Sequence, residues 1–252
     1  MLADVGVVVS FGYFLPSRLL EQFPQGCINV HPSLLPRFRG AAPIQHAILQ
    51  GDTETGVTVQ EVSPKAFDAG KILSQVRVPL PPDVDYPSLE ATLSDVGSHL
   101  LLDTLRNYVE RKANARNQEG EGQLASKVTK EMAKARWGEQ TALEMTRAHR
   151  ALGHRTPIFS TFRGMRIQLR DMVIDEASKD HLVYPPGTVT WTSGKRVDHV
   201  RIQCADGTSI RVRRIRLEGK RDVDVREWVS NYTMKSGGEV LGLIEPGQHA
   251  SE

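Results

Sequence analysis

Residues 27–40 read Cys27-Ile28-Asn29-Val30-His31-Pro32-Ser33-Leu34-Leu35-Pro36-Arg37-Phe38-Arg39-Gly40. Cys27 to Val30 has strand composition, and the prolines and glycine that follow end the strand and open a loop. A helix from about Pro43 to Gln50 comes next, with proline in the first turn, where its missing N–H costs nothing. Upstream, Val5-Gly6-Val7-Val8-Val9-Ser10 predicts a strand buried on both faces of a parallel sheet. Phe11 to Pro16 then turns into a short helix over residues 17–23. Downstream, 55–62 and 71–78 read as strands, and 87–110 carries Leu89, Leu93, Val96, Leu100 and Leu101 at helical spacing. This alternation predicts an α/β domain with helices on a mainly parallel sheet, a partial doubly wound, Rossmann-like unit over residues 1–110. A domain seldom opens on such a strand. Its first strands are therefore expected upstream of Met1, and the chain alone is expected to fold poorly and show little activity.

Residues 111–135 are polar and basic and read as a linker. A helix over 139–152 leads to five short strands, 159–162, 166–173, 187–191, 200–204 and 209–215, with Asp206-Gly207 as a hairpin turn. That spacing predicts an OB-like β-barrel over residues 136–232, closed by a helix from Arg226 to Tyr232 and followed by a flexible tail, 233–252. The 252 residues, 39% hydrophobic and 25% charged, are enough to bury a core. No apolar run is long enough to span a bilayer. Cys27 and Cys204 read as ordinary buried thiols of a reducing compartment. The net charge is only +2, but Lys and Arg crowd the second half, from Arg111-Lys112 through Lys127, Lys130, Lys134 and Arg136 to the run 211–221.

Asn29 and His31 lie on one side of a strand, at its C-terminal end, where open α/β sheets bind ligands. A lone histidine there more often ties a loop to its neighbours. Here an amide and an imidazole together suit a developing oxyanion, with the ring also able to move a proton. Asp68, in the turn Phe67-Asp68-Ala69-Gly70, can fix the tautomer of that ring and favour its protonated form. Arg37 and Arg39 place two guanidinium groups at the mouth of the crevice, where phosphate or carboxylate could meet them. No serine or cysteine stands where a nucleophile should, and no residues have metal-ligand spacing. Direct transfer between two bound substrates is the expected chemistry.

Asn29-Val30-His31-Pro32-Ser33-Leu34-Leu35-Pro36 with Asp68-Ala69-Gly70 resembles the signature of 10-formyltetrahydrofolate-dependent formyltransferases. The extension Arg37 to Gln45, then Gly51-Asp52-Thr53-Glu54-Thr55-Gly56-Val57-Thr58, is most similar to the methionyl-tRNA formyltransferase branch. Members commonly carry Trp or Tyr at the place of Phe38. The resemblance implies that Asn29, His31 and Asp68 are catalytic and that Ser33, Leu34, Leu35, Pro36, Val62 and Phe67 contact the folate donor. It also implies initiator methionyl-tRNA as acceptor, met by Arg37, Arg39, Lys127, Lys130, Lys134, Arg136, Arg147 and Arg150, with Arg211, Arg213, Arg214 and Arg216 extending the basic patch. A monomer acting in the mitochondrial matrix, without metal or membrane, completes the expectation. The alternatives are an impaired form that only binds tRNA, or a formyltransferase for another amine.

Overall fold

The strand that carries Asn29 and His31 lies inside a four-stranded sheet. In the computed structural model, which describes residues 3–176, 184–191, 197–232 and 241–242, the chain divides into two units, residues 1–128 and 129–252.

The first unit begins with β1 (Gly6–Val9), a short α1 (Ser17–Leu20) and β2 (Cys27–His31). A two-residue strand, β3 (Arg39–Gly40), precedes α2 (Pro43–Gln50), and two long strands follow, β4 (Glu54–Glu61) and β5 (Ile72–Pro79). The sheet order is β1-β2-β4-β5. Only β1 and β2 run parallel; β4 is antiparallel to both β2 and β5. The expected mainly parallel sheet is thus corrected. The connection from β4 to β5 is too short for a parallel return, which needs roughly a dozen residues or more. In this chain β1 lies at the edge of the sheet, with Val7 and Val9 exposed.

The long helical pattern divides into α3 (Tyr86–Arg106) and α4 (Tyr108–Ala113) at Asn107, whose side chain donates to the Asp103 carbonyl. Asp85 caps α3 by accepting from the Ser88 N–H. Ile28, Val59 and Leu73 form the core on which Val30, Leu100 and Leu101 pack. Gly97 lets α3 approach the sheet closely: a Cβ there would lie 3.3 Å from Val30 Cγ1. The stretch read as a linker contributes β6 (Leu124–Ala125), which pairs in parallel with β3.

The second unit opens on a 3-10 turn (Lys130–Ala133) and α5 (Ala142–Leu152). Thr141 and Glu144 form a reciprocal capping box on α5. Thr141→Ala is expected to destabilise this unit by about 1 kcal/mol, a shift that urea denaturation would resolve. Then follow β7 (Ile158–Phe162), β8 (Met165–Ile174), β9 (Thr188–Thr190), β10 (Val200–Gln203), β11 (Ser209–Leu217), β12 (Asp222–Asp224), α6 (Val225–Tyr232) and β13 (Leu241–Gly242).

The strands form one antiparallel sheet in the order β13-β9-β10-β11-β8-β7, with β12 on β11. This half-barrel-like sheet is wider than the five strands expected. The Asp206-Gly207 hairpin is present, with Gly207 at φ +80° and the Cys204 N–H donating to the Thr208 carbonyl. Trp228 of α6 is buried against Phe162, ring centroids 5.1 Å apart. Both cysteines are free and buried; burial pushes the Cys204 thiol up to about 12 and also raises that of Cys27. Apart from β13, the expected tail 233–252 lies outside the described residues.

Candidate active site

Asn29 and His31 share one face of β2, as its two-residue period requires. Their neighbour across the sheet is β4, in the register Asn29↔Gln60 and His31↔Thr58. Asp68 reaches this face from the β4–β5 turn. Its Oδ1 accepts from Asn29 Nδ2 at 3.2 Å and from Gln60 Nε2 at 3.0 Å, and its Oδ2 accepts from the Gly40 N–H at 2.9 Å. His31 Nδ1 stands 3.6 Å from the same Oδ1.

The other ring nitrogen of His31, Nε2, lies 2.8 Å from the Phe38 carbonyl. A carbonyl only accepts, so Nε2 carries a proton, and a second proton on Nδ1 would face Asp68. His31 is 5% exposed and Phe38 2%. Phe38 and Asp68 both adopt left-handed backbone, φ +59° and +49°, which costs a non-glycine residue about 1 to 3 kcal/mol. The bonds just described hold both in place. Phe38 is a core residue that aims its own carbonyl at His31.

Beside these groups runs a cleft whose polar floor is Asn29, Gln60 and Asp68. Its apolar wall includes Val8, Phe11, Tyr13, Phe14, Val62 and Phe67. Phe14 and Phe67 meet edge to face at 5.2 Å, while Tyr13 is 77% exposed. Flat aromatic surface next to converging hydrogen-bond groups suits a planar heteroaromatic ligand.

The other expected ligand contacts fall elsewhere. Ser33 and Leu35 are buried; Ser33 Oγ donates to the Arg37 carbonyl, and the Ser33 carbonyl accepts from Thr58 Oγ1. Leu34 packs beside Gly56, and Pro36 follows a cis peptide bond. These four residues brace the loop and do not line the cleft.

The basic residues are similarly sorted. Arg37 forms a two-pronged pair with Asp52, at 2.8 and 2.6 Å, and lies over the Phe38 ring. Arg39 grips Gln118 Oε1, at 2.9 and 2.6 Å. Arg37 is exposed and Arg39 half-buried. Lys127 and Lys130 are exposed, Lys134, Arg147 and Arg150 half-buried, and Arg136 pairs with Glu139. On the C-terminal sheet, Arg211 joins Arg201 on the buried carboxylate of Asp175. Arg213 faces Asp171, Arg214 faces Asp222, and Arg216 donates to the Lys220 carbonyl. On this sheet Arg211, Arg213 and Arg214 each face a carboxylate, two of which are shared with a second arginine.

Two residues of the candidate site escaped the sequence reading. Gln60 looked like the polar side of an alternating strand, and Gln118 like part of a polar linker. Their two-residue alternation and loop composition carry no signal for partners so distant in the chain. Among the described residues, no group of three or more His, Cys, Asp or Glu is placed to hold a metal ion.

Comparison with known proteins shows the family. Residues 1–105 match the formyl transferase family and residues 127–233 the formyl transferase C-terminal domain. The chain is 34% identical to the methionyl-tRNA formyltransferase of Coxiella burnetii, covering 92% of this chain and 71% of that protein. It is 38% identical to the mitochondrial methionyl-tRNA formyltransferase of Homo sapiens, covering 91% of this chain and 59% of that one. The chain belongs to the methionyl-tRNA formyltransferase family. It spans about 60% of the length of its human and mouse relatives. In fold it is similar to HypX from Aquifex aeolicus, solved with tetrahydrofolic acid, at a TM-score of 0.67 and 16% identity over 93% of this chain and 40% of HypX. An N-formyltransferase from Helicobacter canadensis gives 0.58 at 16% identity, over 80% of this chain and 70% of the other.

Proposed function

We propose that this chain carries the formyl-transfer site of an enzyme that formylates the amino group of initiator methionyl-tRNA, with 10-formyltetrahydrofolate as donor. The carrying observation is the convergence of Asn29, Gln60, the Gly40 N–H and His31 on Asp68, at the floor of an aromatic-walled cleft. One Nδ2 hydrogen of Asn29 is taken by Asp68; the other is available to an oxygen that becomes negative as the amine attacks the formyl carbon. Collapse of that intermediate breaks the bond to the folate nitrogen. The attacking nitrogen loses one proton, and the departing nitrogen gains one. The His31–Asp68 pair is the group at hand to relay it, with Nε2 anchored on Phe38 so that Nδ1 faces the carboxylate.

Val62 and Phe67 would lie against the pterin, joined by Phe11 and Phe14. The tRNA would be met by Arg37, Arg39 and Lys127, and on the C-terminal unit by Lys130, Lys134, Arg136, Arg147 and Arg150, through phosphate contacts. The human, mouse, rat and bovine relatives are mitochondrial enzymes, which supports a place in the mitochondrial matrix. Among the described residues no helix is long and apolar enough to cross a membrane.

The test offers methionyl-tRNA, a UDP-amino sugar and glycinamide ribonucleotide in parallel. Formylation of methionyl-tRNA alone is expected, falling about 10²- to 10³-fold in His31→Ala. Preference for either small amine, or an unaltered rate in the variant, would overturn the reading.

A further inference from the structure

The segment from Arg116 to Ser126, polar enough to read as a free tether, is fastened along its length to the loops of the site. Arg116 exchanges both backbone hydrogen bonds with Ile72, at 2.8 and 3.1 Å. The Arg39 N–H donates to the Gln123 carbonyl at 2.9 Å, Leu124 and Ala125 pair with Arg39 and Gly40, and His46 Nε2 meets the Ser126 carbonyl at 3.0 Å. At the centre stands Gln118. Its Nε2 lies 2.9 Å from the Asp68 carbonyl, 2.8 Å from the Gly70 carbonyl and 3.1 Å from Gln60 Oε1, while its Oε1 takes both contacts from Arg39.

Two amide hydrogens thus serve three acceptors, so one is shared. Two of the residues that Gln118 touches lead directly to groups that hold the Asp68 carboxylate. Gln60 donates to Oδ1, and Arg39 precedes the Gly40 N–H that donates to Oδ2. The Asp68 carbonyl belongs to a backbone in the left-handed region, which relaxes unless it is restrained.

We infer that Gln118 is a positioning residue, acting through Asp68: its amide clamps the Asp68–Gly70 turn and the Arg39–Gly40 strand together, so that the carboxylate meets Asn29 and His31 in one geometry. The role rests on the formyl-transfer reading above. It makes a segment that reads as a linker a working part of the first unit, and a misplacement of the order of an ångström at reacting groups is costly.

The test compares Gln118→Ala with Gln118→Glu in the whole chain. Glutamate keeps an oxygen for Arg39 but cannot donate to the two carbonyls, so a donor role predicts that both variants fail alike. Each should lower kcat for methionyl-tRNA formylation by about ten- to a hundred-fold, with KM and Tm little changed. The Gly40 amide proton should also exchange with solvent markedly faster than in the parent. Full activity in Gln118→Glu, or a loss of rate that only tracks a loss of Tm, would overturn the role. Unchanged Gly40 exchange would overturn it whatever the activity, because that readout does not depend on the reaction. Asp68→Ala is the control for the underlying reading: if it too leaves the rate intact, the assignment of the site fails and the inference falls with it.

Discussion

Asp68→Asn is expected to lower formyl transfer by about 10²- to 10³-fold, although it removes no heavy atom. The reason is donor and acceptor counting. Oδ1 accepts from Asn29 and Gln60, and Oδ2 accepts from the Gly40 N–H, so both oxygens face donors. An asparagine amide has one acceptor oxygen and one NH2, and either orientation sets the NH2 against an N–H. The substitution also removes the negative charge 3.6 Å from His31 Nδ1, so a proton there loses its partner. Each donor left without an acceptor costs about 1 to 3 kcal/mol in a buried setting, and part of that will appear as reduced stability. Single-turnover formylation beside urea denaturation separates the two effects. Retention of near-parental kcat by Asp68→Asn would mean that the carboxylate is a structural anchor only.

The second large effect is expected at Gly70. A Cβ on Gly70 would stand 1.8 Å from the Glu61 carbonyl oxygen and 2.7 Å from its carbon. Those are backbone atoms at the end of β4, and the Glu61 N–H is itself bonded to the Lys71 carbonyl. Relief therefore requires moving β4 away from β5, or the turn away from Asn29. Gly70→Ala should cost about 3 kcal/mol or more, a large share of a typical domain stability of about 5 to 15 kcal/mol. Gly12→Ala is the matched control, since its Cβ would meet nothing within 4 Å; there the change should stay within about 0.5 kcal/mol. Thermal denaturation of both variants decides the matter. Equal melting temperatures would show that the turn yields more easily than its backbone contacts imply.

These expectations mark where the sequence was legible. Asn29 and His31 could be placed on one face of a strand end because side chains in a strand alternate with a period of two. Asp68 could be joined to them because its turn is bounded by two readable strands. The direction of β4 was not legible, since hydrophobic alternation is the same in parallel and antiparallel strands. Gln118 was invisible for a different reason. It lies 50 residues from Asp68 and 79 from Arg39, and its surroundings are polar, so local composition predicts only a solvated linker. The carboxylate partners of the β11 arginines were invisible in the same way. A charge run looks free until the carboxylates of Asp171, Asp175 and Asp222 arrive from elsewhere in the chain.

The sequence by itself located most of the longer strands and helices and singled out Asn29, His31 and Asp68 as candidates. Those follow from periodicity, turn chemistry and a long motif, all of which are local. Only the tertiary structure decided the sheet's direction, the internal partners of Arg37 and Arg39, and the fastening of the Arg116–Ser126 segment across the site. Hydrogen bonds between residues far apart in the chain are set by packing, and a polar side chain carries the same local signature whether it meets water or a carbonyl.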